Sequence, residues 1–281
     1  PKNRLSRILF FKRRVILRAL KTNPDIVHLH DPELFGYTRL FKKHGIKVVL
    51  DWHEDFVGQI KNKHWIPRMF RGSISFVASI WCRFITKRAD ASITVTPPIV
   101  QTMSFANPLL IRNFPTLREF PEKTNPPTDR VEVVYIGGVS EIRGCYTMAE
   151  AIGLVAKQIP LTWVVAGDVS IMVDQDRLRA LAYPASINIL GRVSRDRVAS
   201  VLSSATVGLC VIQDVSNYSV SYPTKVFEYM MWGVPVVMTQ FDTLADLFGV
   251  DVPGIFVDPQ NIDEVSSAIA LLLNNPAEAQ R

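Results

Sequence analysis

Short apolar, β-branched runs that end in polar residues or glycine alternate along the chain with longer stretches of helical spacing, and this alternation leaves few folds open. The runs are DIVHLHD (25–31), KVVLDWHED (47–55) and ASITVT (91–96), then VEVVYIG (131–137), LTWVVAG (161–167), INILG (187–191), VGLCVI (207–212), VPVVMT (234–239) and GIFVD (254–258). Helical spacing falls at 5–21, up to His44, over 62–88, after Pro97-Pro98, and near 146–158, 174–183, 195–204, 224–232, 242–248 and 261–274. Strands that alternate with helices imply a parallel sheet covered on both faces, because each crossover lays its helix back on the sheet. The fold class is therefore α/β.

Pro115, Pro121, Pro126 and Pro127 crowd among charges between the two sets of runs, which marks a linker. The boundaries expected are a first domain at 1–114, a linker at 115–130 and a second domain at 131–281. The 281 residues suit two domains. The second part carries a complete open sheet, whereas the first shows fewer strands, opens on a helix and starts at Pro1. Part of its sheet is expected upstream of Pro1.

Charge divides along the same line. Residues 1–112 carry 20 Lys and Arg against 7 Asp and Glu, and residues 113–281 carry 12 against 19. A basic half attracts anionic lipid headgroups, nucleic acid or phosphorylated substrates; with no nucleic-acid-binding motif beside the charge, nucleic acid is not expected. Trp65, Met69, Phe70, Phe76, Trp81 and Phe84 lie among the basic clusters Lys61–Arg71 and Arg83–Arg88. A segment touching a membrane has this composition, but packing against the domain's own sheet accounts for the same aromatics and is the expectation preferred. The longest uncharged stretch, 91–111, holds three prolines and Asn107 and makes a poor membrane span. Cys82, Cys145 and Cys210 form neither a disulfide framework nor a zinc motif, which fits a cytoplasmic protein.

Ligands bind at the carboxyl ends of strands in such sheets, so polar residues there are the candidates. His28 and His30 share a strand face next to Asp31; His53, Glu54 and Asp55 end the next run. A metal site is one possibility, but no histidine follows His64, and no metal is expected. His53 is the histidine placed to bond a substrate; His28 is expected in the core. Asp174-Gln175-Asp176 has the spacing of a metal-binding acidic pair but falls at a helix start, where carboxylates cap. After VEVVYIG come Gly137-Gly138, Ser140, Glu141, Arg143 and Gly144, which let backbone amides and a guanidinium approach an anion. Lys225 and Glu228, one helical turn apart, could bind a phosphate and a ribose, or only each other.

In order along the chain, DIVHLHDPEL, VVLDWHEDF, IGGVSEIRG, VVAGDVS, INILGRVSRDRVASVLSSATVGLCVI and YPTKVFEYMMWGVPVV resemble the family 4 retaining glycosyltransferases of the GT-B fold. The resemblance implies two Rossmann-like domains facing a cleft, with the first incomplete and its glycine-rich loop upstream of Pro1. It implies a UDP- or GDP-linked sugar donor and no other cofactor. Glu228 would hold the ribose, Gly137, Gly138 and Arg143 the diphosphate, and Gly191, Arg192 and Val193 the base. Tyr222, Pro223 and Thr224 would line the donor segment, and His53, Arg143 and Lys225 would serve the reaction. Two positions depart from the family. Val220 stands where a glutamate contacts the donor sugar, leaving that contact to backbone around Ser219–Tyr222, and Gly138 stands where an arginine follows the first glycine. The expected activity is metal-independent, hexosyltransferase-type transfer to a glycan or polyprenyl-linked acceptor in bacterial surface polysaccharide assembly, peripheral at the inner face of the plasma membrane. An epimerase or hydrolase of the same fold, or a non-catalytic nucleotide-sugar-binding protein, are the rivals that turnover would distinguish.

Overall fold

The computed structural model describes residues 12–53, 55–62, 66–103, 107–116, 131–213 and 218–275. Contacts divide the chain into two compact units, Pro1–Arg112 and Asn113–Arg281. Most of the expected linker, 117–130, the start of the first expected helix, and Glu54, His64 and Trp65 lie outside the described residues.

The first unit is α1 (Lys12–Lys21), β1 (Ile26–Leu29), α2 (Pro32–Phe35), α3 (Thr38–Lys43), β2 (Lys47–Trp52), α4 (Phe56–Asn62), α5 (Arg68–Thr86), β3 (Ala91–Thr94), α6 (Pro97–Thr102) and β4 (Leu109–Leu110). Its strands pair in chain order, all parallel. β4 is an addition to the sequence reading, since two residues carry no period. The helix expected over 62–88 is observed as α5, which starts after Pro67, while α4 precedes the expected range. The aromatics expected to pack on this sheet do so at Trp81, which meets Phe56 and the core, whereas Phe76 and Phe84 stand in solvent. Strand alternation sends Val27, Leu29, Val48, Leu50 and Trp52 into a core with Phe35, Phe41, Cys82 and Ile85.

The second unit is β5 (Glu132–Ile136), a 3-10 turn (Glu141–Arg143), α7 (Cys145–Ala156), β6 (Thr162–Ala166), α8 (Gln175–Ala182), β7 (Ser186–Gly191), α9 (Arg195–Ser204), β8 (Val207–Cys210), α10 (Thr224–Met231), β9 (Val236–Thr239), α11 (Asp242–Phe248), β10 (Gly254–Val257) and α12 (Ile262–Asn274). The strand order is β10-β9-β8-β5-β6-β7. Every pair is parallel. Val133 and Tyr135 pack with Met148, Ile152, Leu178 and Ile269 on one face; Val134 and Ile136 pack with Leu202, Val226 and Tyr229 on the other. Both faces are therefore buried, as continuous apolar strands require. Asp174 caps α8, accepting the Asp176 and Arg177 N–H groups at 3.0 and 3.1 Å, which is the role expected of it. The order reverses between β8 and β5, and the crevice at such a switch point is where open α/β sheets bind ligands.

Candidate functional site

At the carboxyl end of β5 the chain turns through Gly137, whose φ of +106° is a region that side chains avoid. The Gly137 N–H donates to the Ala166 carbonyl at 2.9 Å and the Val139 N–H to the Asp168 carbonyl at 2.8 Å. The β5 and β6 loops thus run together. They approach so closely that a Cβ on Gly167 would collide with the Gly137 carbonyl. The ends of β5, β6 and β7 and one face of α10 enclose a cleft of about 470 Å³. Gly137, Gly138, Asp168, Arg192, Val193, Arg195 and Glu228 line it.

The Gly138 carbonyl accepts from the Tyr135 hydroxyl at 2.8 Å and from Arg143 at 3.0 Å. Burial works against the charge of Arg143, but its bond to Tyr218 and the nearby tyrosines outweigh it and hold the guanidinium protonated. Lys225 rises from the first turn of α10 to place Nζ 3.7 Å from the centroid of the Tyr135 ring. That ammonium is buried and makes no hydrogen bond to a described residue. Burial first, then the charge of Arg143, push its pKa down to about 8, with Glu228 pulling the other way. A buried cation without a partner carries a large desolvation cost, and an anion entering the loop would remove it. The register of α10 is set by Tyr229, whose hydroxyl accepts the Ile136 N–H at 3.0 Å and lies 3.3 and 3.2 Å from the Val134 and Leu209 carbonyls.

In the first unit a second set of groups meets at the ends of β1 and β2. The Asp51 carboxylate, with a side chain only 9% exposed, lies 3.1 Å from His28 Nε2, 3.3 Å from His30 Nδ1 and 3.5 Å from His53 Nε2. His30 and His53 are themselves 3.0 Å apart through Nδ1 and Nε2. His28, His30 and Asp51 offer ligand atoms within 4.8 Å of one another, a set able to hold a metal ion. Equally, Asp51 can accept imidazole N–H groups and orient the rings, as buried carboxylates do for histidines. His28 corrects the sequence reading. Val27 and Leu29 take the core side of β1, so period two turns His28 outward, where its side chain is 42% exposed.

The Glycosyltransferase Family 4 description matches residues 1–105, and the Glycosyl transferases group 1 description matches residues 130–275. The chain belongs to the group 1, family 4 glycosyltransferases. Its chemistry is nucleotide-sugar-dependent glycosyl transfer. Solved structures agree in fold. Sucrose-phosphate synthase from Thermosynechococcus elongatus is 18% identical with a TM-score of 0.72, covering 100% of this chain and 72% of its own. A glycosyltransferase from Rickettsia africae is 15% identical with a TM-score of 0.73, over 99% and 74%. HepE of Anabaena, solved with UDP and glucose, is 14% identical with a TM-score of 0.70, over 100% and 76%. No curated protein matches.

Within this glycosyltransferase, Gly137, Gly138, Arg192, Val193 and Glu228 come together in one cleft. Gly191 ends β7 beside them, and Arg143 and Lys225 stand against the glycine loop. Tyr222, Pro223 and Thr224 are not among the cleft-lining residues. Tyr222 packs edge-on against Phe227 and near Phe114, and Pro223 precedes α10, whose first residue, Thr224, is exposed. The Ser219 carbonyl, near Val220, accepts the Thr243 hydroxyl at 2.9 Å. Sequence reading missed Asp51, Asp168, Arg195 and Tyr229. Asp51 carried a usable signal: a carboxylate inside VVLDW, two residues from His53, shares its strand face. The cysteines are not nucleophile candidates, since burial pushes the thiols of Cys145 and Cys210 up to about 11 and Cys82 to about 12.

Proposed function

We propose that this enzyme transfers a hexosyl group, with retention, from a uridine or guanosine diphosphate sugar to a glycan or polyprenyl-linked acceptor at the inner face of the bacterial plasma membrane, in surface polysaccharide assembly. The observation that carries the donor half is the buried Lys225 ammonium beside Gly137, which has no hydrogen-bond partner among the described residues, with Arg143 behind the same loop. Two cations converge there on a glycine loop. That is the arrangement a leaving diphosphate needs, because its charge grows as the sugar departs. Glu228, which lines the cleft, is assigned to the ribose, and Arg192 and Val193, which line the same cleft, to the base. The structure of HepE with UDP-glucose supports uridine as the first base to test.

Retention follows from a front-face displacement. The acceptor oxygen bonds to the anomeric carbon on the side from which the diphosphate leaves, and the acceptor proton passes to the departing phosphate oxygen. Arg143 and Lys225 supply the positive charge, so the step is proposed to run without a metal. His53, oriented by Asp51, is assigned to a substrate hydroxyl.

Thermal unfolding with UDP, GDP and ADP, alongside Glu228→Ala, tests the donor half. A ligand at 100 times its dissociation constant adds about 2.7 kcal/mol, a rise of about 5–10 °C for a unit of this size. One nucleotide should stabilise the wild type, and the variant should lose most of the gain. No shift with any nucleotide in a folded protein sinks the assignment.

A further inference from the structure

The carboxyl ends of β1 and β2 gather three imidazoles around one oxygen. The register that sets His28 beside Val49 and Leu29 beside Leu50 brings His30 level with Asp51. Asp51 Oδ2 then lies 3.1 Å from His28 Nε2, 3.3 Å from His30 Nδ1 and 3.5 Å from His53 Nε2, while Oδ1 is buried and makes no hydrogen bond to a described residue. Hydrogen bonding accounts poorly for this arrangement. Charge-assisted N–H bonds to a carboxylate run about 2.7–2.9 Å, whereas here three longer contacts crowd on one oxygen and none from a described residue reaches the other. His30 Nδ1 also faces His53 Nε2 at 3.0 Å, and since a ring nitrogen carries at most one proton it cannot donate to both neighbours.

A cation resolves both conflicts. Around a tetrahedral zinc the ligand atoms lie about 2.1 Å from the ion and therefore about 3.4 Å from one another, close to the separations of His28 and His30 from Asp51. These three residues keep their ligand atoms within 4.8 Å of one another. The carboxylate, its side chain only 9% exposed, would gain a charge partner that offsets the cost of its burial. His28 and His30 are exposed, so an ion reaches them from solvent. Two imidazoles and one carboxylate suit zinc and its transition-metal neighbours, whereas magnesium and calcium prefer oxygen ligands throughout. Histidines beyond His64 are not needed, because the paired β1 and β2 supply the set between them.

We propose that His28, His30 and Asp51 bind one zinc-class divalent ion and that this ion slows the enzyme. It engages Asp51 Oδ2 and His30 Nδ1, the atoms that meet His53 Nε2, and so takes from His53 the partners that orient it. The metal-free enzyme is the active form, in keeping with a transfer step that uses no metal. The site stands on its own geometry; the slowing rests on the role proposed above for His53.

Cobalt(II) titration of the full chain, without a histidine tag, tests the site through the visible absorption of the bound ion. The band should saturate at one cobalt per chain, be removed by zinc and be unaffected by magnesium. His28→Gln should weaken cobalt and zinc binding at least about a hundredfold, since even an outer-shell partner is worth 10–100-fold, and should keep its basal turnover. Saturating zinc should lower wild-type turnover about a hundredfold, the cost of a catalytic group displaced by about 1 Å, and EDTA should restore it. Should His28→Gln fold poorly, protection from diethyl pyrocarbonate read by mass spectrometry locates the ion in the wild type: zinc should shield His28 and His30 and leave His44 reactive. A cobalt band that never saturates, a band that His28→Gln leaves intact, or zinc that shields His44 alone overturns the site. Binding of one ion with turnover untouched overturns the slowing and the role given to His53, and leaves the site. Zinc inhibition as strong in His28→Gln as in the wild type places the metal elsewhere, on the nucleotide, and overturns the slowing as well.

Discussion

Lys225 Nζ sits 3.7 Å above the centre of the Tyr135 ring, so the charge of α10 rests on the aromatic face of the central strand. The ring is the nearest compensation the ammonium has, and a cation–π contact offsets only part of the burial. Burial also pushes the Tyr135 hydroxyl well above its ordinary range, so the ring stays neutral while it carries the cation.

The burial of this ammonium makes stability depend on pH in an unusual direction. Burial pushes the Lys225 pKa down to about 8 in the folded protein, from 10.5 for a free lysine. Between those two values the unfolded chain holds more protons than the folded one, and stability rises with pH. The penalty is complete below about pH 8, on the order of 3 kcal/mol, and fades towards pH 10. Lys225→Met should therefore melt several degrees above the wild type at pH 7 without nucleotide. The gap should narrow at pH 9.5, and the variant should lose the nucleotide-induced gain. Calorimetry at both pH values decides it, and equal melting temperatures at pH 7 would refute the account.

Tyr229 ties α10 to β5 through the Ile136 N–H at 3.0 Å. Replacing it with phenylalanine leaves that buried donor without its partner, which costs about 1–3 kcal/mol. Denaturant unfolding of Tyr229→Phe should show that loss. Nucleotide affinity should fall as well, because the same helix carries Lys225 and Glu228. An unchanged unfolding midpoint would mean the hydroxyl contributes nothing.

Asp51 touches three imidazoles and is assigned a positioning role. Asp51→Asn should lower kcat by about a hundredfold, the cost of a catalytic group displaced by about 1 Å, with little change in donor KM. Combined with His53→Ala it should add little further loss. Full additivity in that double-mutant cycle would separate Asp51 from His53.

Chelation tests the metal-free step directly. Turnover measured after EDTA treatment should equal that of untreated enzyme, since Arg143 and Lys225 are assigned the leaving-group charge. Activity lost to EDTA and restored by one divalent cation would instead make His28, His30 and Asp51 the first ligands to examine.

Much of the cleft proposed to bind the donor was legible because its residues are marked by local chemistry. Glycine after β5, the arginine-bearing loop after β7 and the Lys225–Glu228 spacing all announce themselves within a few residues. The acidic cap of α8 was legible for the same reason. Other features were not. The β4 pair Leu109–Leu110 is too short to show a period, Asp51 was masked by the apolar run around it, and Tyr222 carried a motif position but packs among aromatics.

Periodicity in the amino-acid sequence settles which residues share a face. It put His28 with His30, and it made the alternating strands and helices into parallel sheets. It cannot say which of two faces meets the core, because that depends on what else the chain folds against it. Val27 and Leu29 claimed the core side of β1 and turned His28 outward to Asp51; Cys82 and Ile85 claimed the core side of α5 and left Phe76 in solvent. Local chemistry decided the elements and most of the glycine loop after β5, and long-range packing decided which of their faces met the core and which were left outside it.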